Sequence, residues 1–418
     1  MGSHRIMEIM SHAEPDAVDH VLTRTVHAGR EQLRSLGVHT PPLDRSTTYP
    51  LTSLDGGTAS LDQLAGGARI AENPVYQRLH NPTVARWEDA IAGLEHADTA
   101  VAFSSGMAAI TATVMAARLG GGDHVVAVRP IYGGTDHLLA TGLLGGSVTW
   151  ARPEDVAGAI RPDTGLVLLE TPANPTLATV DIAAVVAQAG TVPVAVDNTF
   201  ATPVLQNPLD HGAAYAIHSA TKALGGHGDV TGGVVACSEA LAQPLRQVRI
   251  LTGALLDPQA AWLLHRGLPT LALRVHAAQD SACALAQRLA LHPDVVDVRH
   301  PSLPGQDPLG LIPRQMAGPG QMIAFRVRGG HARAARIVGA VDLITPAVSL
   351  GSVDTLIQHP AGLTHRVVAA DARDEHGIGE DLLRLSVGIE HPDDLWRDLT
   401  RALQVSAPVD RPLETVSP

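Results

Sequence analysis

Residues 214–229 read Ala-Tyr-Ala-Ile-His-Ser-Ala-Thr-Lys-Ala-Leu-Gly-Gly-His-Gly-Asp. The apolar run 214–217 suits a buried strand, and Gly225-Gly226 suits a chain turning tightly beside a ligand. A lysine at the mouth of a buried strand loses hydration, which disfavours its charged form and lowers its pKa. Lys222 is therefore a candidate nucleophile for Schiff-base chemistry, with Ser219 and Thr221 alternating around it as hydroxyls for a phosphate. A solvent-facing lysine beside a glycine-rich loop is the competing reading of this stretch.

The surrounding chain sets bounds on that choice. Its 418 residues exceed the usual span of one hydrophobic core, so two domains are expected. A hydrophobic content of 45% with 17% charged residues describes a soluble globular protein. Aromatics make up only 3%, so the core must rest on aliphatic packing. The net charge of -12, with no basic run, argues against a nucleic-acid partner. Two cysteines, Cys237 and Cys283, exclude a disulfide scaffold and fit a reducing cytoplasm. No apolar run approaches the ~20 residues of a membrane span, and no signal-peptide core opens the chain.

Residues 1–60 are polar and proline-punctuated and read as an N-terminal arm, with 1–18 as a loose tail. From there to 268 the pattern alternates. Helical spacing covers 83–95 and 107–118, and apolar strands are expected at 99–103, 124–128, 166–169, 192–196, 214–217 and 233–237. Continuous apolar strands between helices imply a mostly parallel sheet covered on both faces. Ligands of such sheets bind beyond the carboxyl ends of the strands. Residues 269–418 change texture: a long helix at 270–291, strands at 322–327, 342–350 and 382–387, and a closing helix at 394–403 form a smaller α+β domain.

Polar clusters follow the expected strands in turn. Ser105-Gly106-Met107 opens a helix, where free backbone N–H groups make an anion site. Asp197 ends an apolar strand, and a buried aspartate requires a cationic partner, although an ion pair or helix cap is the competing explanation. Adding Lys222 and a tyrosine, Tyr132, gives a phosphate nest, a carboxylate, an amine and an aromatic ring. One cofactor, pyridoxal 5′-phosphate, uses all four. No metal is implied, because the histidines lack ligand spacing and His227 reads as structural.

The ordered landmarks Tyr76-Gln77-Arg78-Leu79-His80-Asn81-Pro82-Thr83, Ser105-Gly106-Met107-Ala108-Ala109, Tyr132-Gly133-Gly134-Thr135, Glu170-Thr171-Pro172-Ala173-Asn174-Pro175-Thr176, Asp197-Asn198-Thr199-Phe200, His218-Ser219-Ala220-Thr221-Lys222, Arg266-Gly267-Leu268 and Arg384-Leu385-Ser386-Val387-Gly388 carry a resemblance. Between about Thr23 and Leu403 the chain resembles the Cys/Met-metabolism family of PLP enzymes, which includes cystathionine γ-synthases and lyases, methionine γ-lyases and O-acylhomoserine sulfhydrylases. The resemblance implies the α/β fold type I of PLP-dependent transferases, with a mostly parallel seven-stranded sheet. It further implies that Lys222 bonds PLP, Asp197 meets the pyridine nitrogen, Tyr132 stacks on the ring and Asn174 meets the 3′-oxygen. Ser105, Gly106, Met107, Ser219 and Thr221 would hold the phosphate, and Tyr76 and Arg78 would reach the phosphate of a neighbouring subunit. Arg384 would clamp the substrate α-carboxylate, with Ser349 and Val348 beside it, in a homodimer paired into a tetramer.

The implied reaction is γ-elimination or γ-replacement on a homoserine- or methionine-type amino acid, cleaving C–S or C–O at Cγ, with Lys222 moving protons and Tyr132 serving the leaving group. The alternatives are cystathionine β-lyase-type elimination, a specialised secondary-metabolic substitution and, against the intact Lys222, Asp197 and Arg384, a non-catalytic paralogue. Several positions depart from the family pattern. Val348 stands where cystathionine enzymes often carry Glu, Gly134 where methionine γ-lyases typically carry Cys, and Ala223 where Tyr usually follows the lysine. Asp44-Arg45 and His80 also differ from the common residues.

Overall fold

The computed structural model describes residues 20–405. The expected tail at 1–18 lies outside the described residues. Strands β1 (Thr99–Phe103), β2 (His124–Val128), β3 (Ser147–Ala151), β4 (Thr164–Glu170), β5 (Val194–Asp197), β6 (Tyr215–Ser219) and β7 (Gly233–Cys237) form a seven-stranded sheet in the order β1-β7-β6-β5-β4-β2-β3. Only β7 runs against its neighbours β1 and β6; the other pairings are parallel. The expected mostly parallel sheet is therefore present. Every residue of β1, β2, β5 and β7 is buried, as continuous apolar strands covered on both faces require.

Helices on the two faces supply that cover. The helix Pro82–Leu94 starts where Asn81 accepts the N–H groups of Thr83 and Val84, with proline in the first turn. It buries Trp87 completely against β1, a contact whose removal to Ala costs roughly 3–5 kcal/mol. The opposite face takes the helix Gly106–Leu119, packed with Val101, Phe103, Leu166 and Ile217.

Strands β8 (Val295–Arg299), β9 (Met322–Val327), β10 (Thr345–Pro346), β11 (Leu356–Gln358) and β12 (Leu382–Ser386) form a second sheet in the order β10-β11-β12-β9-β8. The helices Leu271–Ala290 and Pro392–Val405 pack on it around Ile323, Phe325, Leu383 and Leu385. One expectation fails here. The strand read at 342–350 shrinks to Thr345–Pro346, because Ser349 takes a φ of 96° and turns the chain out of the sheet. The arm also holds more structure than expected, with helices Val21–His27 and Leu54–Ala65, the latter capped by Ser53.

Candidate active site

The carboxyl ends of β4, β5 and β6 bring Glu170, Asp197 and Ser219 side by side, since Glu170 pairs with Asp197 and Asp197 with Ile217. Above them lies a cavity of about 430 Å³. Of the residues predicted from the sequence, Ser105, Gly106, Met107, Tyr132, Asn174, Asp197, Ser219, Thr221, Lys222, Val348, Ser349 and Arg384 all line it. Tyr76 and Arg78 do not. Tyr76 is 45% exposed, and Arg78 stacks over it while donating to the Ile250 carbonyl at 3.1 Å. Asp44 and Arg45 also lie outside the cavity, and Asp44 accepts from the Ser46 N–H at 2.8 Å.

At one end, Ser105 caps the helix Gly106–Leu119 by accepting from the Ala108 N–H. The first N–H groups of that helix have no intrahelical partner and face the cavity as anion donors. The loop is pressed against the sheet. A Cβ on Gly106 would fall 2.7 Å from the Ser219 Cβ, and one on Gly233 would fall 2.1 Å from the Ser105 carbonyl oxygen. Glycine at both positions is what lets the loop lie this close to the sheet.

Lys222 follows β6 and donates from Nζ to the Ser349 hydroxyl at 2.7 Å. Burial, and next the charge of Arg384, pull its pKa from 10.5 down to about 8. Ala223, the departure after the lysine, is buried, and its carbonyl accepts from Arg274 at 2.7 Å. Arg384 on β12 is also buried, donating to Asn174 Oδ1 and to the Ser349 carbonyl, each at 2.7 Å. Burial lowers its pKa to about 10, so it stays cationic at neutral pH. Ser349 thus joins the amine and the guanidinium through one residue in a sparsely populated backbone region.

Asp197 is buried and accepts from the Thr199 N–H at 3.1 Å and the Thr199 hydroxyl at 2.5 Å. Burial raises its pKa, against those hydrogen bonds. A cationic ring nitrogen is the partner that would offset this. Tyr132 follows β2, and burial raises its phenol pKa, leaving a neutral acid. A Cβ on Gly134 would stand 2.6 Å from the Tyr132 ring, so a side chain there would displace the phenol.

Sequence reasoning missed Ile110, Glu170, Thr199, Phe200, Leu350, Leu363 and Thr364 as cavity residues. Glu170 stood inside a quoted motif, but only the β4–β5 register turns it toward the cavity. A trio outside the cavity, His331, His359 and Glu380, is close enough to share a metal. However, His359 Nδ1 accepts from the Gly362 N–H at 2.9 Å, which puts its proton on Nε2, 2.8 Å from the Glu380 carbonyl. That ring has no free lone pair for an ion.

The cavity therefore offers an amine with lowered pKa, an anion nest, a buried acid and an aromatic ring, and the glycine cradle is one a phosphate fits. Comparison with known proteins agrees. The family described as Cys/Met metabolism PLP-dependent enzyme matches residues 22–404. The chain belongs to this family. It is 57% identical over 389 residues to the L-methionine gamma-lyase of Brevibacterium sandarakinum, covering 93% of this chain and 98% of that one. It is 53% identical to the L-methionine gamma-lyase of Streptomyces avermitilis, covering 91% and 88%. Among solved structures, the cystathionine gamma lyase of Micromonospora echinospora matches with a TM-score of 0.82 at 39% identity, covering 93% and 100%. The cystathionine gamma synthase of Xanthomonas oryzae pv. oryzae matches at 0.85 and 34%, covering 93% and 99%. The protein is a fold type I, PLP-dependent enzyme that carries out γ-elimination or γ-replacement on an amino acid. No helix among the described residues is long and apolar enough to cross a membrane.

Proposed function

We propose that the protein cleaves the Cγ–S bond of L-methionine, with water, to methanethiol, 2-oxobutanoate and ammonia. The observation that carries this reading is the character of the cavity mouth. Val348 and Leu363 line it at 53% and 51% exposure, and among the described residues the only ionisable acids and bases lining the cavity, apart from Tyr132, are Glu170, Asp197, Lys222 and Arg384. A methyl thioether finds apolar contacts there. The zwitterionic far end of cystathionine would find no further charged partner among the described lining residues, and unpaired polar groups reduce binding strongly. The relatives named as L-methionine gamma-lyases support the same substrate.

In this reading, Lys222 holds PLP covalently, Asp197 pairs with the ring nitrogen, Tyr132 stacks on the ring and Asn174 meets the 3′-oxygen. Ser105, Gly106, Met107, Ser219 and Thr221 bind the phosphate. The bound cofactor supplies the electron sink that makes the substrate's Cα and Cβ protons acidic. Arg384 fixes the α-carboxylate with two parallel N–H donors, which sets the Cα–H bond toward Lys222. Lys222 Nζ, freed as a neutral amine when the substrate's amino group takes its place on the cofactor, would remove that proton. The Tyr132 hydroxyl, which burial keeps protonated, gives its proton to the departing sulfur.

Residues 61–268 act as the cofactor-binding unit and 269–418 as the carboxylate-binding unit, with 1–60 as an arm. The working form is a homodimer sharing active sites, paired into a tetramer. The exposed Tyr76 and Arg78, turned away from their own cavity, support it. Two free cysteines and no disulfide suit the cytoplasm. Purified enzyme should release 2-oxobutanoate and methanethiol from L-methionine with kcat/KM well above that for L-cystathionine, read by mass spectrometry. Lys222→Ala should abolish turnover. Pyruvate as the main product, or a cystathionine preference, would overturn the substrate assignment.

A further inference from the structure

Glu170 is the one acid of the cavity that the reading above leaves without work. It ends β4, and its pairing with Asp197 puts both side chains on the same face of the sheet. Only 3% of it is exposed. Its Oε2 accepts from the Tyr132 N–H at 2.6 Å. The helix Gly133–Ala140 that follows Tyr132 has no side-chain cap, and Asp136 in its first turn is taken up by Arg129 at 2.6 Å, so the Glu170 carboxyl is the side chain that accepts the Tyr132 N–H at that helix start. The same carboxyl group also receives the backbone N–H of Asn174. Asn174 passes the contact on, because its Oδ1 accepts from Arg384 at 2.7 Å.

We propose that Glu170 is a positioning residue that fixes Tyr132 and Asn174 relative to each other, so that one side chain sets both ring stacking and carboxylate capture. The proposal rests on the roles given above to Tyr132, Asn174 and Arg384. An acid serving only to end a strand would bond its own segment or water. Glu170 instead accepts from the Tyr132 N–H, 38 residues away after β2, as well as from the Asn174 N–H of its own following loop, so it ties together two loops that flank the cavity. Its place beside Asp197 is expensive: burial, then the Asp197 charge, push its carboxyl pKa well above the usual range. A glutamine keeps one accepting oxygen and turns a donor toward the second N–H, so it preserves one of the two contacts. Alanine loses both.

The test uses full-length Glu170→Gln and Glu170→Ala, each compared with wild type and with Lys222→Ala. Three quantities are read: PLP affinity of the apoenzyme by fluorescence quenching, circular dichroism of the bound cofactor's visible band, and KM for L-methionine. Glu170→Ala should weaken PLP binding and raise KM by about tenfold each, the size of one lost hydrogen bond to a buried N–H, and flatten the dichroism. Glu170→Gln should fall between alanine and wild type on all three. If alanine fails to fold, the glutamine variant decides alone. Both variants matching wild type on these readouts, even with a lower apoenzyme melting temperature, would reduce Glu170 to a stability role and overturn the proposal. Retained turnover in Lys222→Ala would instead sink the underlying cofactor reading, which separates the two failures.

Discussion

Lys222 carries a testable signature before any cofactor is added. Its ammonium loses its proton near pH 8 in the folded chain, against 10.5 when freely hydrated. Between those values the unfolded chain binds one more proton than the folded chain, so stability of the apoenzyme rises with pH across that window. Below it, the folded chain bears the full penalty of a buried charge. Lys222→Met apoenzyme should therefore melt higher than wild-type apoenzyme at pH 7, and the gap should shrink as pH rises toward 10.5. A gap independent of pH would mean that the amine is solvated. The stretch around this residue suits a Schiff-base lysine and a solvent-facing one equally well, and only the ordered motifs along the rest of the chain favour the first. Its bond to Ser349 was not readable from the sequence, since 127 residues separate the two. Glu170 escaped for a related reason: an acid at a strand end looks the same in sequence whether it faces a cavity or caps a turn.

At the scale of the element, the decisive contact is that of the loop proposed to hold the phosphate with the sheet beneath it. Ser105-Gly106 lies against β7 so closely that a methyl on Gly233 would meet the Ser105 carbonyl oxygen at 2.1 Å and the Gly106 nitrogen at 2.8 Å. Both obstacles are backbone, so the loop itself must move. Gly233→Ala should destabilise the apoenzyme by about 1–3 kcal/mol and weaken PLP binding, measured by denaturant unfolding and cofactor titration. Unchanged affinity would show that the loop does not bind the phosphate. Strands β1, β2, β7 and β9 were legible because each is a buried apolar run. Strand β3 was not, since at the sheet edge its first four residues are exposed or half-buried and its pattern is mixed. The run at 342–350 misled for the opposite reason: its apolar residues serve a bend around Ser349, where the site needs a hydroxyl and a carbonyl rather than a ladder.

The whole molecule raises the question of Tyr76 and Arg78, which the sequence singled out and the single chain leaves facing outward. If they complete a neighbour's phosphate site, two inactive variants should rescue each other. Lys222→Ala and Arg78→Ala, mixed one to one and reassembled, form hybrid dimers with one intact site each, giving roughly one quarter of wild-type activity. Activity no greater than the average of the two separate variants would refute shared sites. All strands of the first sheet precede residue 268, where the sequence changes texture, and all strands of the second follow it. Their meeting at Ser349 required the fold, because the resemblance placed that residue only beside Arg384.

The joint at Ser349 has an evolutionary corollary. Its backbone is pinned from both sides: Gly351 donates to the Ser386 hydroxyl at 2.8 Å, and a methyl on Gly351 would touch the Ala223 nitrogen at 2.5 Å. The neighbouring Val348 side chain nevertheless projects into the mouth, more than half exposed. Natural selection can exchange that one side chain for an acid, a base or a bulkier group while the machinery behind it keeps its alignment. A scaffold so arranged can acquire new sulfur or oxygen donors by single steps at its rim, without passing through inactive ancestors.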